Sequence, residues 1–146
     1  MTGVARVSDE DLDILQYLWL ASLVHGSPPT AYQSCAWLRD FGITSCDYVS
    51  RVIRRLVAAG YVKVEEIGRK KLRKVTCKGI EALLNKLANT DLPSILTLRM
   101  GERYRNLLVL IRIMRPRPDA LCDGDTAVID LWKIISGSLG SEEGGN

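Results

Sequence analysis

The chain has 146 residues, 47% apolar and 25% charged, with a formal net charge of +3. That is enough apolar material for one cored domain, or for a small domain with an appended helical module. No apolar run reaches the roughly 18 residues of a membrane span, and the start, MTGVARVSDEDLD, turns acidic where a secretory signal needs an apolar region, so a cytoplasmic protein is expected.

Three helix starts use one device, a hydroxyl followed three residues on by an acid or amide: Ser8 with Asp11, Thr30 with Gln33, and Thr44 with Asp47. Each pair can satisfy backbone N–H groups that a helix start leaves open. The first helix is expected over 9–24, burying Leu12, Leu15, Leu18, Trp19 and Leu23, and stopping before His25-Gly-Ser-Pro-Pro29. A second follows over 31–40, with Ala36, Trp37 and Cys35 inward, and a turn at Phe41-Gly42-Ile43. The third runs from Ser45 to Ala59 and stops at Gly60. Its apolar stripe is Val49, Val52, Ile53 and Leu56, and the helical wheel puts Asp47, Arg51 and Arg54 opposite, with Tyr48 and Arg55 on the flanks.

Tyr61 to Glu66 alternates as a strand and Leu72 to Thr76 as its return partner, joined through Ile67-Gly68-Arg69-Lys70. Leu72 and Val75 cannot share a face without a bulge, and the pattern leaves open which is buried. Thr76 caps a helix to Ala88 with Ile80, Leu83, Leu84 and Leu87 inward. A long helix is expected over 92–114 with a stripe of Tyr104, Leu107, Leu108, Ile111 and Met114, widened by Leu110 and Ile113. A last one, over 125–138, offers Val128, Leu131, Trp132 and Ile135, before a Gly/Ser/Glu-rich tail, 140–146, expected to be disordered.

Charge is uneven. Between 45 and 79 ten Lys/Arg face three acids, a local +7; 99–118 carries +5, while 1–30 carries −3 and 119–146 carries −5. Such local charge, more than the total, governs partners. Cys35, Cys46, Cys77 and Cys122 form no C-x-x-C pair, and His25 is the single histidine. Tetrahedral metal sites need ligands paired at short spacing, so neither metal nor cofactor is expected. Free, mostly buried thiols are, since a disulfide would be out of place in an ordinary cytosol, though not in a hyperthermophile's. Cys46, in a helix's first turn, would suit a redox sensor, but an ordinary thiol is the expectation. No nucleophile–base pairing and no G-x-x-x-x-G-K-[ST] loop is present, so no enzyme activity is expected.

Helix, helix, turn, helix, a Gly60-Tyr61-Val62 strand, a basic hairpin tipped by Gly68-Arg69-Lys70-Lys71, and Thr76-Cys77-Lys78-Gly79 opening a helix together resemble the winged helix-turn-helix family over about residues 8–88. The order is most similar to PadR-like transcriptional regulators and less so to MarR-like ones, which want a longer N-terminal dimerising segment. The fold class expected is therefore mainly α with a small β-hairpin: a winged helix-turn-helix over 8–88 and a C-terminal helical dimerisation module over 92–139.

The resemblance implies a recognition helix in the major groove, where Arg pairs with guanine O6 and N7. That role falls on Arg51, with Ser45, Tyr48, Arg54 and Arg55 beside it. The wing, Arg69, Lys70, Lys71 and Arg73, would meet phosphates or the minor groove. Paired recognition helices need a two-fold axis, which assigns Tyr104, Leu107, Leu108, Ile111, Leu131 and Trp132 to a homodimer interface. The expected function is a homodimeric, double-stranded-DNA-binding transcriptional regulator with no membrane partner. The alternative is a winged-helix module that docks a protein. Operator, sign of regulation and any small-molecule effector are not written in these motifs; for 25–31 a plain loop is preferred to a ligand cleft.

Overall fold

Residues 7–136 are described by the structure, a computed structural model. Helix α1 (Asp9–His25) opens with a full capping box: Ser8 Oγ accepts from the Asp11 N–H at 3.1 Å and the Asp11 carboxylate accepts from the Ser8 N–H at 3.4 Å. It is the central helix, touched by the helices that follow on several sides. Ile14 and Leu20 are therefore buried along with Leu15, Leu18, Trp19 and Leu23, where a single inward face was expected, and Leu12 is half-buried.

Helix α2 (Ala31–Leu38) repeats the capping box between Thr30 and Gln33 and ends in a single 3₁₀ turn, Arg39–Phe41. Ser34 and Leu38 are its inward residues; Cys35, Ala36 and Trp37 are half-buried, and Trp37 stacks on His25 with centroids 4.0 Å apart. Helix α3 (Cys46–Ala58) starts one residue later than the pattern implied. Ser45, not Thr44, is its cap, accepting from the Tyr48 N–H at 3.2 Å, and the Asp47 carboxylate makes no hydrogen bond or ion pair among the described residues.

Strands β1 (Val62–Ile67) and β2 (Lys70–Val75) form an antiparallel hairpin in unbroken register from Val62↔Val75 to Ile67↔Lys70. Gly68 takes φ +65° as the first of two turn residues, where a side chain would be strained. The open question of the second strand resolves without a bulge: Val75 pairs with Val62 and is buried, while Leu72 is half-buried on the other face. Helix α4 (Cys77–Ala88), capped by Thr76, carries Gly79 in its first turn because a Cβ there would lie 2.6 Å from the Tyr61 carbonyl oxygen.

The C-terminal third departs most from expectation. The long helix is two: α5 (Leu92–Leu96) and α6 (Glu102–Met114). Gly101, a poor helix former, sits at the N-cap of α6, and Arg105 Nη2 stitches the break by donating to the Leu98 and Met100 carbonyls at 2.8 and 3.1 Å. The helix expected from 125 is instead a second hairpin, β3 (Cys122–Asp123) and β4 (Thr126–Ala127), turning through Gly124 at φ +68°; residues 131–136 are helical beyond it. The tail 140–146 lies outside the described residues. One apolar core runs from Ile14 through Ile80 and Ile111 to Ile134, so the stretches before and after residue 90 share it. The protein is mainly helical with a small two-stranded antiparallel hairpin followed by a shorter one. No helix of the described residues is long and apolar enough to cross a membrane.

Candidate nucleic-acid interface

Helix α3 is amphipathic: Val49, Val52, Ile53 and Leu56 enter the core, leaving Ser45, Ser50, Arg51 and Arg54 exposed. The hairpin is set against it through the chain itself. Tyr61 N–H donates to the Leu56 carbonyl at 2.8 Å, and Thr76 Oγ1 donates to the Gly60 carbonyl at 2.6 Å. On the far side the Arg73 N–H donates to the Pro29 carbonyl at 2.8 Å, so the loop before α2 runs along the outer edge of β2. Between α3 and the hairpin lies a groove of about 300 Å³ lined by Ala31, Ser50, Arg54, Val57, Val64 and Arg73, among others.

The +7 of the basic segment is not all available. Arg55 makes a two-armed contact with Asp11 of α1, Nε to Oδ2 at 3.1 Å and Nη2 to Oδ1 at 2.8 Å. The Arg55 hydrogen bond holds the Asp11 carboxyl below its usual value although burial opposes it, and the same bond raises the Arg55 pKa. Arg55 was expected among the base-facing residues; its side chain stays 45% exposed, but its guanidinium is engaged by the buried Asp11 that α1 presents opposite it. Lys74 pairs with Glu65 at 3.2 Å and Lys63 with Asp125 at 3.1 Å, which lowers the Asp125 pKa. Lys78 Nζ donates to the Ala59 carbonyl at 3.0 Å, closing the C-terminal end of α3, and lies 5.5 Å from the Tyr61 ring centroid.

What remains is Arg51 and Arg54 on α3 and Arg69, Lys70 and Lys71 at the hairpin tip, all exposed and with no ion pair among the described residues. Arg73 is half-buried and its Nη1 donates to the Lys71 carbonyl, which makes it a brace of the hairpin more than a free charge. Tyr48 is half-buried against the core. Tyr32, 79% exposed beside the groove residue Ala31, was not singled out from sequence. Its offset from Ser34 and Leu38, which places it on the opposite side of α2, is the signal that could have found it.

The residues assigned to a dimer divide in two. Tyr104, Leu107, Leu108 and Ile111 are buried in the chain's own core, so they cannot also form an external face. Tyr104 packs on Phe41 with centroids 4.4 Å apart and donates to Asp40 at 2.9 Å; burial, then that bond, pushes its pKa up to about 12. Leu131 is half-buried and Trp132, also assigned to the dimer interface, is 74% exposed, while Ile134 is the buried residue of this segment.

The cysteines also depart from expectation. Cys35 is bonded to Cys46 and Cys77 to Cys122, with Cα–Cα distances of 5.2 and 5.6 Å. Spacings of 11 and 45 residues carry no local signal, so only the folded chain brings the partners together. No free cysteine remains, and among the described residues no three His, Cys, Asp or Glu side chains converge as a metal would require. A cavity of about 390 Å³ opens between α1, β2 and the second hairpin, lined by Trp19, Pro28, Leu72, Lys74, Val128 and Lys133 with others. Pro28 is the one residue of 25–31 that reaches it.

Comparison with protein-family models, with curated proteins and with solved structures finds no match.

Proposed function

We propose that the chain is a winged helix-turn-helix protein of PadR-like plan that binds double-stranded DNA as a homodimer and regulates transcription. The observation that carries this is the set of five exposed, unpaired cations on α3 and the hairpin tip, in a fold where the neighbouring cations are neutralised or spent on carbonyls. Arg51, on the outer face of α3, reads a base edge, with Ser45 beside it and Asp47 placed to accept from cytosine N4. Arg54 flanks it, and Arg69, Lys70 and Lys71 hold phosphate. The second copy docks on the apolar surface left outside the core, Leu110, Ile113 and Trp132, the last two 62% and 74% exposed.

Fluorescence anisotropy with a labelled duplex across a salt series tests the proposal. Affinity is expected to fall steeply and linearly on a log–log plot, with a slope of about −0.9 per phosphate contact. Undetectable binding at low salt, or a flat line, rejects it. That result would favour the rival, a module that docks a protein, for which the exposed apolar Val57 and Val64 of the α3–hairpin groove speak. For the dimer, light scattering on Trp132→Ala is expected to give a monomer where the parent chain gives a dimer; a monomeric parent removes the two-fold axis from the proposal.

A further inference from the structure

We infer that the Cys35–Cys46 disulfide is a redox latch on the base-reading end of α3, opened by a dithiol reductant with loss of duplex affinity. This rests on the assignment of α3 to the DNA groove. The two ends of α3 are held very differently. Its C-terminal half is anchored by Leu56 in the core, by the Arg55–Asp11 pair and by Lys78 on the Ala59 carbonyl. In its first turn, Ser45, Cys46 and Asp47 are exposed, and Ser45 bonds only within the turn. Ahead of Val49, whose buried side chain ends the turn, only the half-buried Tyr48 and the disulfide to α2 tie this turn to the rest of the molecule.

Cys77–Cys122 provides the internal contrast. Cys77 is likewise the first residue of a helix, after a hydroxyl cap. Yet that turn has other ties: the Cys77 N–H donates to the Asp125 carbonyl at 3.0 Å, Thr76 bridges to Thr126, and Gly79 packs directly under the Tyr61 carbonyl. Opening the second disulfide leaves α4 in place; opening the first leaves the start of α3 free to fray.

The chemistry is thiol–disulfide exchange. A thiolate of the reductant attacks Cys35 Sγ, and the S–S electron pair departs on Cys46 Sγ. That thiolate forms at the first position of α3, where the unpaired N–H groups and the helix dipole favour negative charge. The reductant's second thiol, as thiolate, then attacks its own sulfur of the mixed disulfide and releases Cys35 as thiolate. The protein gains two electrons and the dithiol leaves as its cyclic disulfide.

The test uses the oxidised full chain and a duplex selected by it from a random pool, titrated with dithiothreitol. Alkylation and peptide mass mapping read which disulfide opens, anisotropy reads affinity, and circular dichroism checks that the helices persist. Cys35–Cys46 is expected to open first, with affinity falling about tenfold as the competent population drops to about a tenth, and recovering on reoxidation. Cys35→Ser with Cys46→Ser should bind at the weakened level and ignore the reductant. Cys77→Ser with Cys122→Ser should keep the full response. Unchanged affinity with Cys35–Cys46 demonstrably open overturns the latch alone. Failure of the oxidised chain to select or bind any duplex overturns the DNA assignment and the latch with it.

Discussion

Two arginine-rich stretches of similar local charge are put to partly different uses, although Arg99, Arg103 and Arg115 of the second are also exposed without an ion pair among the described residues. In the α3–hairpin segment the arginines and lysines at 51, 54 and 69–71 point to water unpaired. In the stretch 99–118, Arg105 holds the Leu98 and Met100 carbonyls and Arg112 Nε donates to the Thr90 carbonyl at 3.1 Å. These two arginines therefore neither solvate a face nor offer their charge to a ligand. They satisfy carbonyls exposed where the chain breaks its helices, one on each side of α5. Charge density along a sequence is therefore not charge density on a surface. The difference comes from whether the backbone nearby has unsatisfied acceptors to offer.

The sharpest way to break this comparison is to neutralise each stretch in turn. Replacing Arg69, Lys70 and Lys71 together by Ala should cost about two orders of magnitude in duplex affinity near 0.1 M salt and flatten the salt slope by about 0.9 per lost contact. The folding midpoint should barely move, because these side chains are exposed and make no hydrogen bond or ion pair among the described residues. Within the same segment Arg51→Ala should relax preference at one base pair, worth about 1–3 kcal/mol, whereas Lys70→Ala should weaken all sequences alike. Equal behaviour in a binding-site selection would remove the proposed division of labour between helix and hairpin.

Arg105→Ala should invert the pattern. It strands the Met100 carbonyl, leaves the Leu98 carbonyl with only the Met100 N–H, and should lower stability by about 1–3 kcal/mol in urea denaturation, with the salt slope of DNA binding intact. A smaller contrast is written in pH. Tyr104 has its pKa raised to about 12, so its contribution is whole below the ordinary value of 10.0 and is lost as pH rises toward 12. Asp11 is lowered, so the Asp11–Arg55 contribution is whole above the ordinary value of 3.8 and is lost as pH falls through the depressed value. Thermal melts across pH should show Tyr104→Phe blunting the alkaline decline and Asp11→Asn blunting the acid one. A melt profile unchanged by either variant would contradict these pairings.

Much of the first 90 residues was readable because its signals are local. Ser8 and Thr30 cap as their spacing implied, the stripe on α3 is buried, and Gly60 and Gly68 adopt positive φ at the turn and hairpin where they were placed. Past residue 90 the same periodicity misled. Tyr104, Leu107, Leu108 and Ile111 do form a stripe, but hydrophobic spacing says only that a face is covered, not whether the chain itself or a second copy covers it. The break at 97–101 depends on Arg105 reaching back, and the second hairpin on pairing with Thr76 across the fold. No window of neighbouring residues contains either fact.

By itself, the sequence determined where α1, α2 and α4 begin, which face of α3 is apolar, and that a Gly-tipped hairpin follows it, since capping, periodicity and turn chemistry act over a few residues. Tertiary structure alone decided which cations stay free, that Arg55 belongs to Asp11, and that four cysteines close in two pairs. Each of those depends on groups far apart in the chain meeting within a few ångströms, and pairings at that range follow from how the whole core packs.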